Sequence, residues 1–569
     1  MKPKQKVRIG ELLLQHKVIS EEQLSEALAE QKRSGRKLGR VLVDMGFVTD
    51  DEMLQLLARQ LGTQLIDLKH YKFKPEVVRL LPETHARRFR TIVLAEREQD
   101  ILIGMVDPTD IFAFDELGRM LKKPVQPALV READLLLAID LVYRRTAEIS
   151  TLAEELGEEL AEGDYDLSQL AADETTQDAP VIKLLQSLFE DAAQVGASDI
   201  HIEPDETVLR LRQRVDGVLQ EQVLEGKRIA SALVTRLKLM AGLDISEKRL
   251  PQDGRFSMRV KNKVLDVRLS TMPVQHGESV VMRLLDQTAS LLTLEDLGMP
   301  EDMLPRFTRY IKKPTGMVLV TGPTGSGKTT TLYSALAAVN TEGVKIITAE
   351  DPVEYRLPRI SQVQIHQRIG LDFARVLRTA LRQDPDIILV GEMRDPETVQ
   401  IGLRAAITGH LVFSTLHTND AIATVTRLMD MGAEGYMLAT ALNAVVAQRL
   451  VRRVCDSCSR EHTPNAREQA WLTSVMPADK TAATLFRHGA GCTYCNDTGY
   501  RGRIGVYELL EMDDTLMDAL RRNDAEGFAN AAANRPNYRP LLQCALDYAE
   551  QGVTSLEEVI RLTGGLVEE

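Results

Sequence analysis

Aromatic residues are scarce in this 569-residue chain, where one tryptophan, 12 tyrosines and 12 phenylalanines make up 4% of the total. Large rings are therefore not the main filling of its interior, and aliphatic side chains must do most of that work. Cysteine is equally sparse. Five cysteines in so long a chain exclude a disulfide-built scaffold. The start, Met1-Lys2-Pro3-Lys4-Gln5-Lys6, leads into an amphipathic segment with no export-signal pattern, so a reducing, cytoplasmic setting is expected. No apolar run approaches the length of a membrane span. Basic residues are missing from 151–178, where ten acidic residues fall and account for ten of the 13 net negative charges. The rest is close to neutral. No field draws such a chain onto nucleic acid, and no nucleic-acid partner is expected.

What is present is length enough for about three to five domains, and one stretch around which they are organised. Gly322-Pro323-Thr324-Gly325-Ser326-Gly327-Lys328-Thr329-Thr330 follows the apolar run Val318–Val320 and opens a helical segment. That order of strand, glycine loop and helix makes a P-loop. The glycines let backbone N–H groups close around phosphates, and the helix start adds partial positive charge. Lys328 is placed to reach the β- and γ-phosphates, and the Thr329 hydroxyl to complete the shell of a Mg²⁺. The chain is expected to bind ATP.

Three later apolar segments read as parallel strands that end in polar groups, where an open α/β sheet collects its ligand. Val344–Ile347 leads to Glu350 and Glu354; Ile387–Gly391 leads to Glu392; Leu411–Ser414 is flanked by His410 and His417. Glu392 is in place to orient an attacking water, Glu350 and Glu354 to hold Mg²⁺ or its waters, and the histidines to meet the γ-phosphate. Upstream, a hairpin turning at Asp216-Gly217 carries Arg210, Arg212 and Arg214 on one face. Those arginines, or equally Arg255 and Arg268 in later alternating segments, are candidates to reach the γ-phosphate of this chain or of a neighbouring subunit; a solvated strand face is the alternative.

These segments together resemble the secretion and type IV pilus assembly ATPase superfamily across 180–569. The P-loop, Glu350–Glu354, Asp384-Pro385-Asp386 with Gly391-Glu392, and Thr408-Gly409-His410 with His417 match its motifs in order. The resemblance implies a RecA-like motor, a middle domain closing over the nucleotide, a homohexamer, and hydrolysis coupled to pilin movement through an inner-membrane platform protein. It also implies a place at the inner membrane by way of protein partners.

Near the other end, Cys455-x-x-Cys458 and Cys492-x-x-Cys495 are two pairs 33 residues apart. Four thiolates close a tetrahedral Zn²⁺ site with a structural role, and a redox dithiol would need only one pair. Within the superfamily this element is typical of assembly rather than retraction members.

At the front, residues 8–31 and 37–60 align without gaps. Each copy carries a capping box, Ser20-x-x-Gln23 or Thr49-x-x-Glu52, before an amphipathic helix. Arg8 and Lys37 stand before the first helix of each copy. Two cations at two helix starts suit a two-fold ligand with two phosphates; a docking module whose repeats only pack is the alternative. The tandem pattern is similar to the cyclic-di-GMP-binding domain named after the MSHA pilus assembly ATPase. By that resemblance Arg8, Ile9, Gly10, Leu24, Leu28 and Gln31 form one half of the site. Lys37, Leu38, Gly39, Met53, Leu57 and Gln60 form the other, with Asp107 as an acidic contact.

The fold class expected is multidomain α/β. An N-terminal domain of helical repeats and a small α/β unit (1–145) precedes an acidic linker (146–178). An α/β middle domain (179–290) leads into a RecA-like ATPase domain (291–569) with a zinc element at 455–495. The expected activity is ATP hydrolysis by a hexameric motor for an MSHA-like type IV pilus, regulated by cyclic-di-GMP. The rivals are a type II secretion ATPase whose repeats only dock to a membrane platform, a DNA-translocating motor, and a non-enzymatic interaction protein.

Overall fold

A computed structural model describes residues 13–14, 18–34, 38–108, 110–143, 146–162, 180–225, 227–261, 263–287, 291–477, 480–481 and 484–564. The chain divides into two compact units, residues 1–148 with 491–498, and residues 149–490 with 499–569.

The first unit opens with the helices Glu21–Ser34, Leu38–Asp44 and Asp50–Leu61. Both capping boxes are made. Ser20 Oγ accepts from Gln23 N at 3.2 Å and Thr49 Oγ1 from Glu52 N at 3.3 Å, each with the reciprocal bond from the cap N–H. Gly62 ends the third helix in the left-handed conformation at φ 64°. Leu13, Ala27, Leu42, Met53 and Leu56 form a core shared by the two repeats. A small α/β layer follows, with strands β1 (Gln64–Leu65), β2 (Thr91–Glu96), β3 (Ile101–Met105) and β4 (Val125–Leu129) in the order β1-β4-β3-β2. The helices Ile111–Leu121 and Glu132–Val142 complete its core.

The acidic stretch differs from a linker that buries little. Residues Thr146–Glu162 form a helix, and Ile149, Ala153 and Leu156 recur at helical spacing to pack into the core of the second unit. Glu148, Glu154 and Glu155 are exposed. Residues 163–179 lie outside the described set.

Six antiparallel strands form the middle sheet: β5 (Asp199–Pro204), β6 (Val208–Val215), β7 (Val218–Glu225), β8 (Gln252–Val260), β9 (Lys263–Val274) and β10 (Gly277–Asp286). Their order is β7-β6-β5-β10-β9-β8, and the helices Pro180–Val195 and Lys227–Met240 share their core. Asp216 and Gly217 both take positive φ, 49° and 86°, as a tight two-residue hairpin requires.

The motor sheet contains β11 (Gly316–Thr321), β12 (Ile346–Glu350), β13 (Ile360–Gln364), β14 (Ile387–Val390), β15 (Leu411–Leu416) and β16 (Leu442–Val454). A hairpin, β17 (Ser459–His462) with β18 (Phe486–Gly489), stands apart, and β19 (Tyr500–Glu511) returns antiparallel to β16. The order is β13-β12-β14-β15-β11-β16-β19, parallel from β13 to β16. Helices cover both faces, so β11, β14 and β15 are buried throughout, as their unbroken apolar runs require. The parallel strands deliver their C-terminal ends to one edge, and the P-loop leaves β11 there.

Candidate active site

The P-loop closes between β11 and the helix Lys328–Val339. Its glycines are conformational necessities at two positions. Gly322 stands at φ 148°, where an added Cβ would meet the Gln448 carbonyl at 2.4 Å; Gly327, at φ 87°, would meet Gln448 Nε2 at 2.8 Å. Lys328 Nζ donates to the carbonyls of Gly322 at 2.7 Å and Pro323 at 3.0 Å. Burial pulls its pKa down to about 8, against the attraction of Glu392, with Arg449 adding to the fall.

A cleft of roughly 610 Å³ opens over this loop. The structure brings together there Thr324 to Thr330, Glu350, Glu354, Glu392, His417 and Arg268. Glu392 is 8% exposed and pairs with Arg394 at 2.5 Å and His417 at 3.5 Å, while its Oε2 has no hydrogen bond. Glu350 is committed elsewhere. It accepts from Tyr333 Oη, from Thr348 Oγ1 at 2.5 Å and from Gln362 Nε2 at 3.2 Å, which fills three of a carboxylate's roughly four acceptor positions. Glu354 is held by Arg268 at 2.8 Å, and the same guanidinium donates to the Val353 carbonyl at 3.0 Å. The middle domain therefore reaches this cleft through β9.

Two expected residues stay away. His410 precedes β15 and binds the Ala405 carbonyl at 3.0 Å; the six residues of β15 separate it from His417 by about 20 Å of strand. Arg255 stands opposite Arg268 in register but on the edge strand β8, and it does not line the cleft. Arg210, Arg212 and Arg214 do not line the cleft of this chain. Each is ion-paired on its own sheet, Arg210 with Asp205 and Glu221, Arg212 with Glu203, Arg214 with Asp199.

Sequence reasoning missed Tyr333, Arg394, Arg283 and Arg503, all of which line the cleft. Tyr333 lies four residues after Thr329 on one helix, a spacing that shares a face, and Arg394 is two residues past Glu392; both were findable. Arg283 aligns with Arg268 across β10 and β9, which only pairing register reveals. Arg503 enters from β19, far away in the chain.

None of the five cysteines, all of them described, forms a disulfide. Within each pair the loop is tight, with Cys458 N donating to the Cys455 carbonyl at 3.2 Å and Cys492 N to Cys495 Sγ at 3.3 Å. The sulfurs of Cys455, Cys458, Cys492 and Cys495 lie within 4.8 Å of one another, a donor set of four soft ligands. Cys544 is a buried core residue whose thiol pKa burial raises to about 11.

Of the repeat residues, Arg8, Ile9, Gly10 and Lys37 lie outside the described set. Leu24, Gln31, Leu38, Gly39, Leu57 and Gln60 are half-buried, Leu28 is 39% exposed and Asp107 is exposed. Met53, at 5% exposure, packs beneath Gly39 in the repeat core and not at a surface.

Residues 174–561 match the family described as Type II/IV secretion system protein, and residues 61–149 match the MshEN domain. The second match begins after both tandem repeats. A type IV pilus assembly ATPase PilB of Myxococcus xanthus is 40% identical, over 97% of this chain and 98% of that one. A type II secretion system protein E of Xanthomonas campestris is 41% identical, over 98% of each. The solved Legionella pneumophila ATPase DotB covers 69% of this chain and 98% of its own at a TM-score of 0.50 and 21% identity, a likeness of fold.

Proposed function

This chain belongs to the type II/IV secretion system protein family, whose enzymes are ATPases, and from that premise we propose that it is the motor for assembly of an MSHA-like type IV pilus, working as a homohexamer under cyclic-di-GMP control. The observation that carries the motor reading is the single cleft in which Lys328, Thr329, Glu392 and His417 converge, with Arg268 arriving from the middle domain.

In this reading the P-loop N–H groups and Lys328 cradle the β- and γ-phosphates. The Thr329 hydroxyl, at the first turn of the helix, would hold a Mg²⁺, which would supply positive charge against the transferred phosphate. Glu392 Oε2, buried and without a hydrogen-bond partner, takes the attacking water and draws on its proton. Glu350 and Glu354 act through what they hold: Glu350 fixes Tyr333, Thr348 and Gln362, and Glu354 fixes Arg268. When Arg268 leaves Glu354 it is free to meet phosphate, so middle-domain position and catalysis are linked. Zn²⁺ in the four-cysteine set would hold the β17–β18 element to the loop after it, a structural role.

The MshEN match at 61–149 supports cyclic-di-GMP binding by the first unit; in this reading Arg8 and Lys37, in the repeats that precede the match, meet phosphate, and Leu28 and Leu57 pack on the bases. A platform protein at the inner membrane is the expected partner. No described helix is long and apolar enough to cross a membrane. The type II secretion relative is as similar as the pilus one, so the deciding test is direct. ATP turnover of the full chain is measured with and without cyclic-di-GMP, and Arg8→Ala is included. Tight binding lost in Arg8→Ala, with turnover or assembly responding to ligand, supports the regulated pilus motor; no affinity supports a secretion motor whose repeats only dock.

A further inference from the structure

Among the buried carboxylates that the mechanism above does not use, one joins two helices. Glu508, in the middle of β19, is 2% exposed and accepts three hydrogen bonds. Its Oε1 takes the backbone N–H of Ala421 at 2.8 Å and the Tyr538 hydroxyl at 2.5 Å; its Oε2 takes the backbone N–H of Leu541 at 3.0 Å. Ala421 and Leu541 are the first residues of two helices, Ala421–Asp430 and Leu541–Glu550. The second starts after Pro540, which supplies no capping side chain, so Glu508 serves as its cap from another element. One carboxylate therefore joins two helix starts that are distant in the chain.

The first of those helices begins four residues after His417, which lines the cleft. From Glu392 a contact runs to His417 at 3.5 Å. Thr418, next in the chain, shares a 2.6 Å hydrogen bond with Thr321 at the base of the P-loop and another of 2.6 Å with Thr424. Thr424 in turn donates to the Asp420 carbonyl at 2.8 Å, and Arg449 holds Asn419 through both its carbonyl and its side-chain oxygen at 3.1 Å. Asp420 caps the helix that Glu508 also receives. Every link in this path from the γ-phosphate side of the cleft to Glu508 is a short hydrogen bond, an ion contact or a peptide bond. Beyond Glu508 lie Tyr538 and the C-terminal helices Leu541–Glu550 and Leu556–Leu562.

We infer that Glu508 is a positioning residue that passes the state of the nucleotide site, sensed by residues 417–420, to the C-terminal helices. This rests on the ATPase reading of the cleft. A shift of the 417–420 loop on hydrolysis moves the N–H of Ala421, and the shared carboxylate carries that movement to Leu541 and Tyr538. A buried three-way hydrogen bond suits the task, because breaking any arm strands a polar group away from water.

The test is hydrogen exchange on the full chain with Mg–ADP and with a non-hydrolysable ATP analogue, together with steady-state turnover. In the wild type the amides at the start of Leu541–Glu550 exchange at rates that differ between the two nucleotides. Glu508→Gln keeps shape but cannot accept at both oxygens. It is expected to erase that difference and lower kcat by about tenfold or more, with KM within about threefold. Tyr538→Phe, which removes one hydroxyl and spares the carboxylate, is expected to shrink the difference and lower kcat by less. A nucleotide-dependent difference that survives in Glu508→Gln, or that is absent from the wild type, overturns the inference. If Glu508→Gln does not fold, Tyr538→Phe decides, and wild-type exchange and turnover in it overturn the inference equally. Failure of the wild type to bind nucleotide at all would instead sink the ATPase reading.

Discussion

At the scale of single residues, Lys328 carries a pH prediction whose sign is fixed by burial. Its ammonium titrates at about 8, below the ordinary lysine value. Phosphate oxygens favour the charged form, so the complex holds the proton to higher pH than the free site. Nucleotide affinity is therefore full below pH 8 and falls as pH rises through it, by up to about tenfold per pH unit. Titration with a fluorescent ATP analogue reads that slope, and Lys328→Arg, charged throughout, flattens it. Glu392→Gln is expected to lower kcat by about 10²- to 10³-fold with KM little changed, because the lost oxygen acts on water and not on the bound nucleotide. Steady-state kinetics check the split. Arg268 and Arg255 show how far residue reading reaches: they face each other across one strand pair, and only the inner one touches the cleft.

At the scale of elements, the P-loop admits no side chain where it passes β16. Gly322→Ala places a methyl 2.4 Å from the Gln448 carbonyl, in a backbone conformation that L-residues avoid. Loss of ATP binding with an unchanged circular dichroism spectrum is the expected result. The four-cysteine element makes a second prediction. One zinc per chain is expected by metal analysis, and Cys458→Ser should lose it and melt at lower temperature. Native zinc stoichiometry in that variant would rule out the assigned ligand set. Elements whose chemistry is contiguous were legible: the P-loop, both capping boxes, and the strand that brings Glu392 to the sheet edge. His410 was misplaced because a motif on both sides of a strand puts its two ends on opposite edges of the sheet.

At the scale of the whole molecule, a motor built on arginines from a separate domain should depend on assembly and on domain placement. Turnover per chain is expected to rise with protein concentration as oligomers form, measured beside sedimentation velocity. Cyclic-di-GMP should bind the full chain and alter either turnover or the assembly threshold. The helix Thr146–Glu162 bears on this coupling, since its apolar face belongs to the core of the middle domain and not to a free tether. Composition hid that packing, because the acidic residues outnumber the few apolar ones that recur at helical spacing.

What the sequence determined by itself was everything local: a phosphate loop whose glycines, lysine and threonine are consecutive, cysteine pairs with metal-ligand spacing, helix starts set by neighbouring side chains. Tertiary structure alone decided which arginines face the cleft, which glutamates are already occupied, and that Glu508 joins two helix starts. The reason is physical. Local patterns follow from bonds within a few residues, whereas the partners of a buried charge are chosen by strand register and packing between segments hundreds of residues apart.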